Sequence, residues 1–215
     1  MIHLLEILKE IPSHVRLVVV SKTVPAGTVH EVYKLGYKIF GENRVQSLIE
    51  KQPLLPADIE WHFIGHLQTN KVKFITPFVS MIHSVDSLKL LKEIDKEAAK
   101  NNRVIPCLLQ FHIATEETKF GLDLDEAREI LNSSELPGLK NIRICGVMGM
   151  ATFTEDYDLV RREFRSLREI FNTIQKEFFP SDANFREISM GMSGDYQIAI
   201  EEGSTIVRIG TAIFR

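Results

Sequence analysis

Cysteine is scarce: there are two in 215 residues, and both, Cys107 and Cys145, stand inside apolar, strand-like runs. That excludes a disulfide-built fold and leaves reduced, buried thiols, for which the cytoplasm is the expected compartment. Charge of one sign is lacking as well. With 26 Lys and Arg against 29 Asp and Glu, the formal net charge is -3, which supplies no basic field for duplex nucleic acid or an anionic membrane surface. No apolar run approaches the roughly 20 residues of a membrane span. Residues 1–13 interrupt their leucines with Glu6, Lys9 and Glu10, unlike a secretory leader. A Walker loop, a GxGxxG run and an HExxH run are all missing, so the usual sequence grounds for ATP, NAD or zinc are gone. The expectation is a protein with no nucleic-acid and no membrane partner.

What the chain does contain is an alternation. Short β-branched or aromatic runs at 16–21, 37–40, 60–64, 81–84, 104–111, 142–147, 185–189 and 205–209 read as eight strands. Between them, segments of helical period occupy 25–35, 44–51, 69–74, 87–101, 124–132, 157–178 and 196–202, with a further helix at 2–9 ahead of the first strand. Pro25 suits a first helical turn, Asp86 and Asp123 suit N-caps, Gly36 follows a last turn, and Pro180 stops the longest helix. Strands that alternate with helices pair in parallel through right-handed crossovers, and near-continuous apolar runs such as Leu17-Val-Val-Val20 are covered on both faces. Without a Gly/Pro/Ser-rich linker, the pattern predicts one domain over residues 1–215: an α/β, TIM-type (β/α)8 barrel whose additional N-terminal helix covers the last strand pair.

A barrel works at the carboxyl ends of its strands. Those ends deliver Ser21-Lys22-Thr23, Glu42-Asn43, Gly65-His66, Asp86, His112, Met148-Gly149-Met150, Ser189-Met-Gly-Met-Ser193-Gly194-Asp195 and Arg208-Ile-Gly210-Thr211. The last two runs sit where barrels commonly hold a phosphate. Gly191, Gly194 and Gly210 let backbone approach an anion, and Ser189, Ser193 and Thr211 add hydroxyls. Strand one adjoins strand eight in a closed barrel, so partial burial beside Arg208 would favour a neutral Lys22 amine able to attack an aldehyde. Arg208, set in an apolar run, needs a partner: either a carboxylate such as Glu187 or Glu42, or a ligand atom. One ligand satisfies all three features, an aldehyde-bearing phosphorylated pyridine, pyridoxal 5'-phosphate. The stripe Val160, Phe164, Leu167, Phe171, Ile174 and Phe178 reads as packing against the barrel. Arg161, Arg162, Arg165 and Arg168, interleaved with Glu163 and Glu169, read as a solvated face.

Six runs in order, Val20-Ser-Lys-Thr23, Gly41-Glu-Asn-Arg44, Trp61-His-Phe-Ile-Gly-His-Leu-Gln-Thr-Asn-Lys71, His83-Ser-Val-Asp86, Ser189-Met-Gly-Met-Ser-Gly-Asp195 and Val207-Arg-Ile-Gly-Thr211, resemble the pyridoxal phosphate homeostasis proteins over nearly the whole chain. The resemblance implies a barrel similar to the N-terminal domain of alanine racemase, with pyridoxal phosphate held on Lys22 as a Schiff base. It further implies that Ser189, Ser193, Gly210 and Thr211 bind the phosphate, that Arg208 faces the ring nitrogen, and that Asn43 lies near the ring. By the same implication the protein buffers the cofactor in vitamin B6 and amino-acid balance or delivers it to pyridoxal-phosphate-dependent apoenzymes. A monomer rather than a dimer is expected. Compared with the family pattern, the lead-in to Lys22 and the end after Ile213-Phe-Arg215 are short, and a looser seam between strands one and eight is expected.

The alternative is a minimal fold-type III enzyme, an amino-acid racemase or lyase. Racemisation needs two positioned acid/base groups. Lys22 offers one, with His66 and His112 as conceivable seconds, whereas the resembling racemases take theirs from another domain and a partner subunit. An arginine against the ring nitrogen also weakens the electron sink. The expectation is a carrier without established catalytic turnover.

Overall fold

A computed structural model describes residues 3–115 and 120–214. Ile2 and Arg215, which belong to the expected first helix and the final run, lie outside the described residues. Eight strands, β1 (Arg16–Val20), β2 (Ile39–Glu42), β3 (Glu60–Phe63), β4 (Met81–Val85), β5 (Ile105–Phe111), β6 (Ile142–Gly149), β7 (Glu187–Ser189) and β8 (Ile206–Ile209), close into one barrel in sequence order. Every neighbouring pair is parallel. The β1–β8 seam carries four register pairs, from Arg16↔Ile206 to Val19↔Ile209, as many as β2–β3. The looser seam expected there is not found.

Among the described residues, the α-helices outside the barrel are α1 (Leu4–Glu10), α2 (Ala26–Lys34), α3 (Val45–Lys51), α4 (Val72–Ile75), α5 (Leu88–Lys100), α6 (Leu124–Leu131), α7 (Tyr157–Phe178), α8 (Tyr196–Glu201) and α9 (Thr211–Phe214). The expected helix at 69–74 is a 3-10 turn, Thr69–Lys71, that runs into α4. The four-residue α9 is too short to show a period in the sequence. Asp86 does not cap α5; Ser87 does, its Oγ accepting from Leu90 N at 3.3 Å. Asp123 caps α6 in a full capping box with Glu126. Asp123→Ala is therefore expected to lower stability by about 1 kcal/mol, read as a displaced denaturation midpoint at unchanged slope.

Most of the apolar core forms a shell between strands and helices, and Val160, Phe164, Leu167, Phe171 and Ile174 of α7 belong to it. Strand β7 starts at Glu187 because Phe185 closes a turn, its N–H donating to Asp182 O at 3.1 Å, while its ring stacks on Phe171 and Phe179 with centroids 5.1 and 4.4 Å away. A smaller apolar cluster, Val18, Met81, Leu108, Cys145, Met148 and Ile206, is separate from this shell. Helix α1 lies over the β8 side as expected: His3 N donates to Ile213 O at 2.8 Å, and Gln197 Nε2 and the Tyr196 hydroxyl both donate to Glu10 Oε2. The arginine face of α7 is less solvated than its sequence suggests. Arg161 and Arg165 pair with Glu202 at 2.9 and 3.1 Å, and Glu163 is buried. No described helix is long and apolar enough to cross a membrane.

Candidate cofactor site at the carboxyl ends of the strands

Strand β1 hands over to a pinned turn. Ser21 is fully buried, and its hydroxyl donates to Glu42 Oε1 at 2.7 Å. Lys51 of α3 donates to the same oxygen at 2.5 Å and to the Ser21 carbonyl at 2.7 Å. Glu42 has no exposed surface, and its Oε2 lacks a hydrogen-bond partner among the described residues. Beyond Ser21 the chain turns sharply. Thr23 sits in the left-handed region at φ 64°, and Lys22, between them, is exposed rather than partly buried as the sequence suggested. The turn carries Lys22 to the rim of the mouth instead of into the barrel.

The β7 and β8 loops form the adjoining stretch of rim. Backbone N–H groups of Gly210 and Ala212, at the start of α9, both point at Ser193 Oγ, 3.3 and 3.4 Å away. One oxygen thus sits where two backbone amides converge, an arrangement that also suits an anionic oxygen. A Cβ on Gly210 would stand 2.8 Å from the carbonyl of Val20, so only glycine lets β8 end this close to β1. Gly191, at φ +95°, is confined in the same way against Ala199. Thr211 is exposed at the first position of α9, and Asp195 Oδ1 ties the loop by accepting from Met192 N at 2.5 Å. Asn43 is half-buried, and the loop it opens is packed so closely that a Cβ on Gly65 would lie 2.1 Å from its carbonyl oxygen.

Deeper in, the barrel holds a polar column. Arg208 is 3% exposed; its Nη1 donates to Ser189 Oγ at 2.7 Å and its Nη2 to the Gly149 carbonyl at 3.1 Å. Burial lowers its pKa to about 10, opposed by the nearby charge of Asp195, so it stays cationic at neutral pH. The carboxylates proposed from sequence as its partners are engaged elsewhere. Glu42 holds Lys51, while Glu187 takes Arg16 at 3.3 Å and the Thr205 hydroxyl at 2.8 Å. Ser189, fully buried, also contacts His83 Nδ1 at 2.9 Å, and His83 Nε2 lies 2.8 Å from His62 Nδ1. Burial holds both imidazoles neutral, with His62 drawn down to about 3 and His83 well below its ordinary value. The Arg16 charge pushes both further in that direction. Ser189, expected on the phosphate, has its hydroxyl in contact with Arg208 and His83.

His66 is paired with Asp86 at 3.4 Å and stacks on Phe120 at 4.1 Å. Glu163, assigned from sequence to a solvated face, fixes two mouth loops by accepting from Thr115 N at 3.1 Å and Thr152 N at 2.6 Å. Sequence reasoning missed the roles of Glu163, Lys51, His62 and His83. For the histidines a signal existed: a polar residue between buried neighbours on a strand covered on both faces, as in Trp61-His62-Phe63, has only the barrel axis to point into.

Residues 2–215 match the family described as alanine racemase, N-terminal domain. A curated pyridoxal phosphate homeostasis protein of Aquifex aeolicus is 44% identical over 201 residues, covering 93% of this chain and 86% of that protein. One from Synechocystis is 36% identical, covering 97% of this chain and 94% of that protein. Among solved structures, PipY of Synechococcus elongatus without PLP superposes with a TM-score of 0.92 at 34% identity, covering 99% of this chain and 98% of that one. The same protein with PLP bound gives 0.87 over the same coverage.

Proposed function

Because this chain belongs to the alanine racemase N-terminal domain family and, within it, to the pyridoxal phosphate homeostasis proteins, we propose that it binds pyridoxal 5'-phosphate at the barrel mouth and buffers or delivers it. Residues 1–215 act as one binding domain. The observation that carries this reading is the juxtaposition, along adjoining strand ends, of a cation with neutral hydrogen-bond partners and a pair of converging backbone amides. Arg208, whose hydrogen bonds go to a hydroxyl and a carbonyl, keeps a positive charge to offer a ring nitrogen. Gly210, Ser193 and Thr211 supply small, donating groups for the phosphate, and Asn43 flanks the ring. Lys22, exposed at the rim, is reachable by an incoming aldehyde.

When bound, the cofactor supplies an electrophilic aldehyde and an electron-withdrawing ring. The protein's own groups hold rather than turn over. A cation that donates to the ring nitrogen opposes its protonation. Of the two histidines considered as second bases, His66 is already committed to Asp86 and Phe120. Delivery to pyridoxal-phosphate-dependent apoenzymes as a monomer, in the cytoplasm, completes the proposal; the free, buried thiols of Cys107 and Cys145 fit that compartment.

The test is trapping. Incubation with pyridoxal 5'-phosphate is expected to give a visible absorbance band, and borohydride reduction followed by peptide mapping a mass-shifted Lys22 peptide. Lys22→Ala is expected to lose both. A wild-type protein with no adduct on Lys22 would end this reading. Loss of the alpha proton from alanine or serine in deuterated buffer, at useful turnover, would decide for the racemase or lyase.

A further inference from the structure

The polar column inside the barrel has a direction. Arginine only donates, so Ser189 Oγ is the acceptor of the 2.7 Å bond from Arg208. The hydroxyl proton of a buried serine needs an acceptor of its own. Among the described residues, His83 Nδ1 at 2.9 Å is placed to be that acceptor. A neutral imidazole that accepts at Nδ1 carries its proton on Nε2. Nε2 of His83 stands 2.8 Å from Nδ1 of His62, which must then accept and hold its own proton on Nε2. In the opposite direction, His83 would donate to Ser189 and the serine proton would be left without an acceptor among the described residues.

We propose that His83 and His62 are positioning residues for Arg208, acting through Ser189 as a one-way hydrogen-bond chain that holds the guanidinium toward the bound ring. The inference rests on the reading of the mouth as a pyridoxal phosphate site, and it gives Ser189 a different task from phosphate binding. The four residues come from β3, β4, β7 and β8 and meet only on the barrel axis. Each link is neutral except the last, so the chain steadies the arginine without cancelling its charge. Gly149 O, at 3.1 Å, is the second fixed point.

Two measurements on the full chain test this. The first needs no cofactor: nitrogen-15 NMR of histidine-labelled protein is expected to show both His62 and His83 protonated at Nε2 and bare at Nδ1. A proton on His83 Nδ1 overturns the chain's direction. The second follows cofactor release, as decay of the visible band after dilution. His83→Leu and Ser189→Ala are each expected to release roughly tenfold faster, the scale of one lost hydrogen bond to a charged group. The double variant is expected to be no faster than either single one, because both cut the same chain. His83→Asn, whose amide oxygen can accept from Ser189, is expected to recover most of the loss. Additive losses, or an Asn variant as fast as the Leu variant, overturn the proposal. If His83→Leu does not fold, His62→Phe serves: Arg208 still fixes the direction through Ser189, so the His83 proton is expected to stay on Nε2, and a proton found on Nδ1 counts against the chain. A wild-type protein that traps nothing on Lys22 overturns the proposed function and with it the positioning role, even if the free protein shows the expected tautomers.

Discussion

Lowering the pH from about 6.5 toward 3 is expected to remove about 5 kcal/mol of folding stability through His62 alone. Its imidazole is buried beneath the mouth, and its folded-state pKa of about 3 lies well below the ordinary 6.5. That difference corresponds to about 1.4 kcal/mol for each unit crossed. Above 6.5 the ring is neutral whether the chain is folded or not, so it contributes no slope. Between the two values the unfolded chain binds a proton that the folded chain refuses, so stability falls as acid is added. His83, also held below its ordinary value, acts in the same direction. Carboxylates add their own acid sensitivity, so the measurement is comparative. Denaturant midpoints of wild type and His62→Gln, taken between pH 6.5 and 4, should diverge by about 1.4 kcal/mol per unit, with the glutamine variant flatter. Parallel curves would show that His62 takes up its proton in the folded state.

Lys51→Met is expected to cost about 3–5 kcal/mol, because it strands Glu42. That carboxylate has no exposed surface, and one of its oxygens already lacks a hydrogen-bond partner among the described residues. The lysine is the cation that compensates it, at 2.5 Å. Removing the carboxylate too should recover much of the loss, so the double variant Lys51→Met/Glu42→Gln is expected to unfold at higher denaturant than Lys51→Met. The same substitution releases the Ser21 carbonyl, which Lys51 holds at 2.7 Å. Trapping on Lys22 should therefore slow even at temperatures where the variant stays folded. Equal stabilities for the single and double variants would mean that water, rather than Lys51, satisfies Glu42.

The barrel was legible in the sequence because parallel strands covered on both faces must be written as apolar runs, and Leu17-Val-Val-Val20 or Ile105 to Leu109 can hardly be anything else. Helix starts were legible where a cap competes with nothing, as at Asp123, and misread where two candidates adjoin, as at Asp86 and Ser87. Among site residues, Ser193 and Gly210 were readable as a cradle because their chemistry is local to two loops. Arg208 was readable as a problem, a charge in an apolar run, although its solution was not. Its partner Ser189 is 19 positions away and His83 lies a further 106 from Ser189, and no spacing rule links them. The exposure of Lys22 was equally unreadable, since it depends on the φ of the following threonine.

Thr23 is a β-branched residue held at φ 64°, a conformation that costs on the order of 1 kcal/mol and that glycine would adopt freely. With Ser21 clamped on one side and this stiff corner on the other, Lys22 stands on a bracket rather than a swivel. Under the proposed function, the folding energy given up at Thr23 serves aim: a looser corner would yield a sturdier molecule whose Lys22 amine sweeps a wider arc.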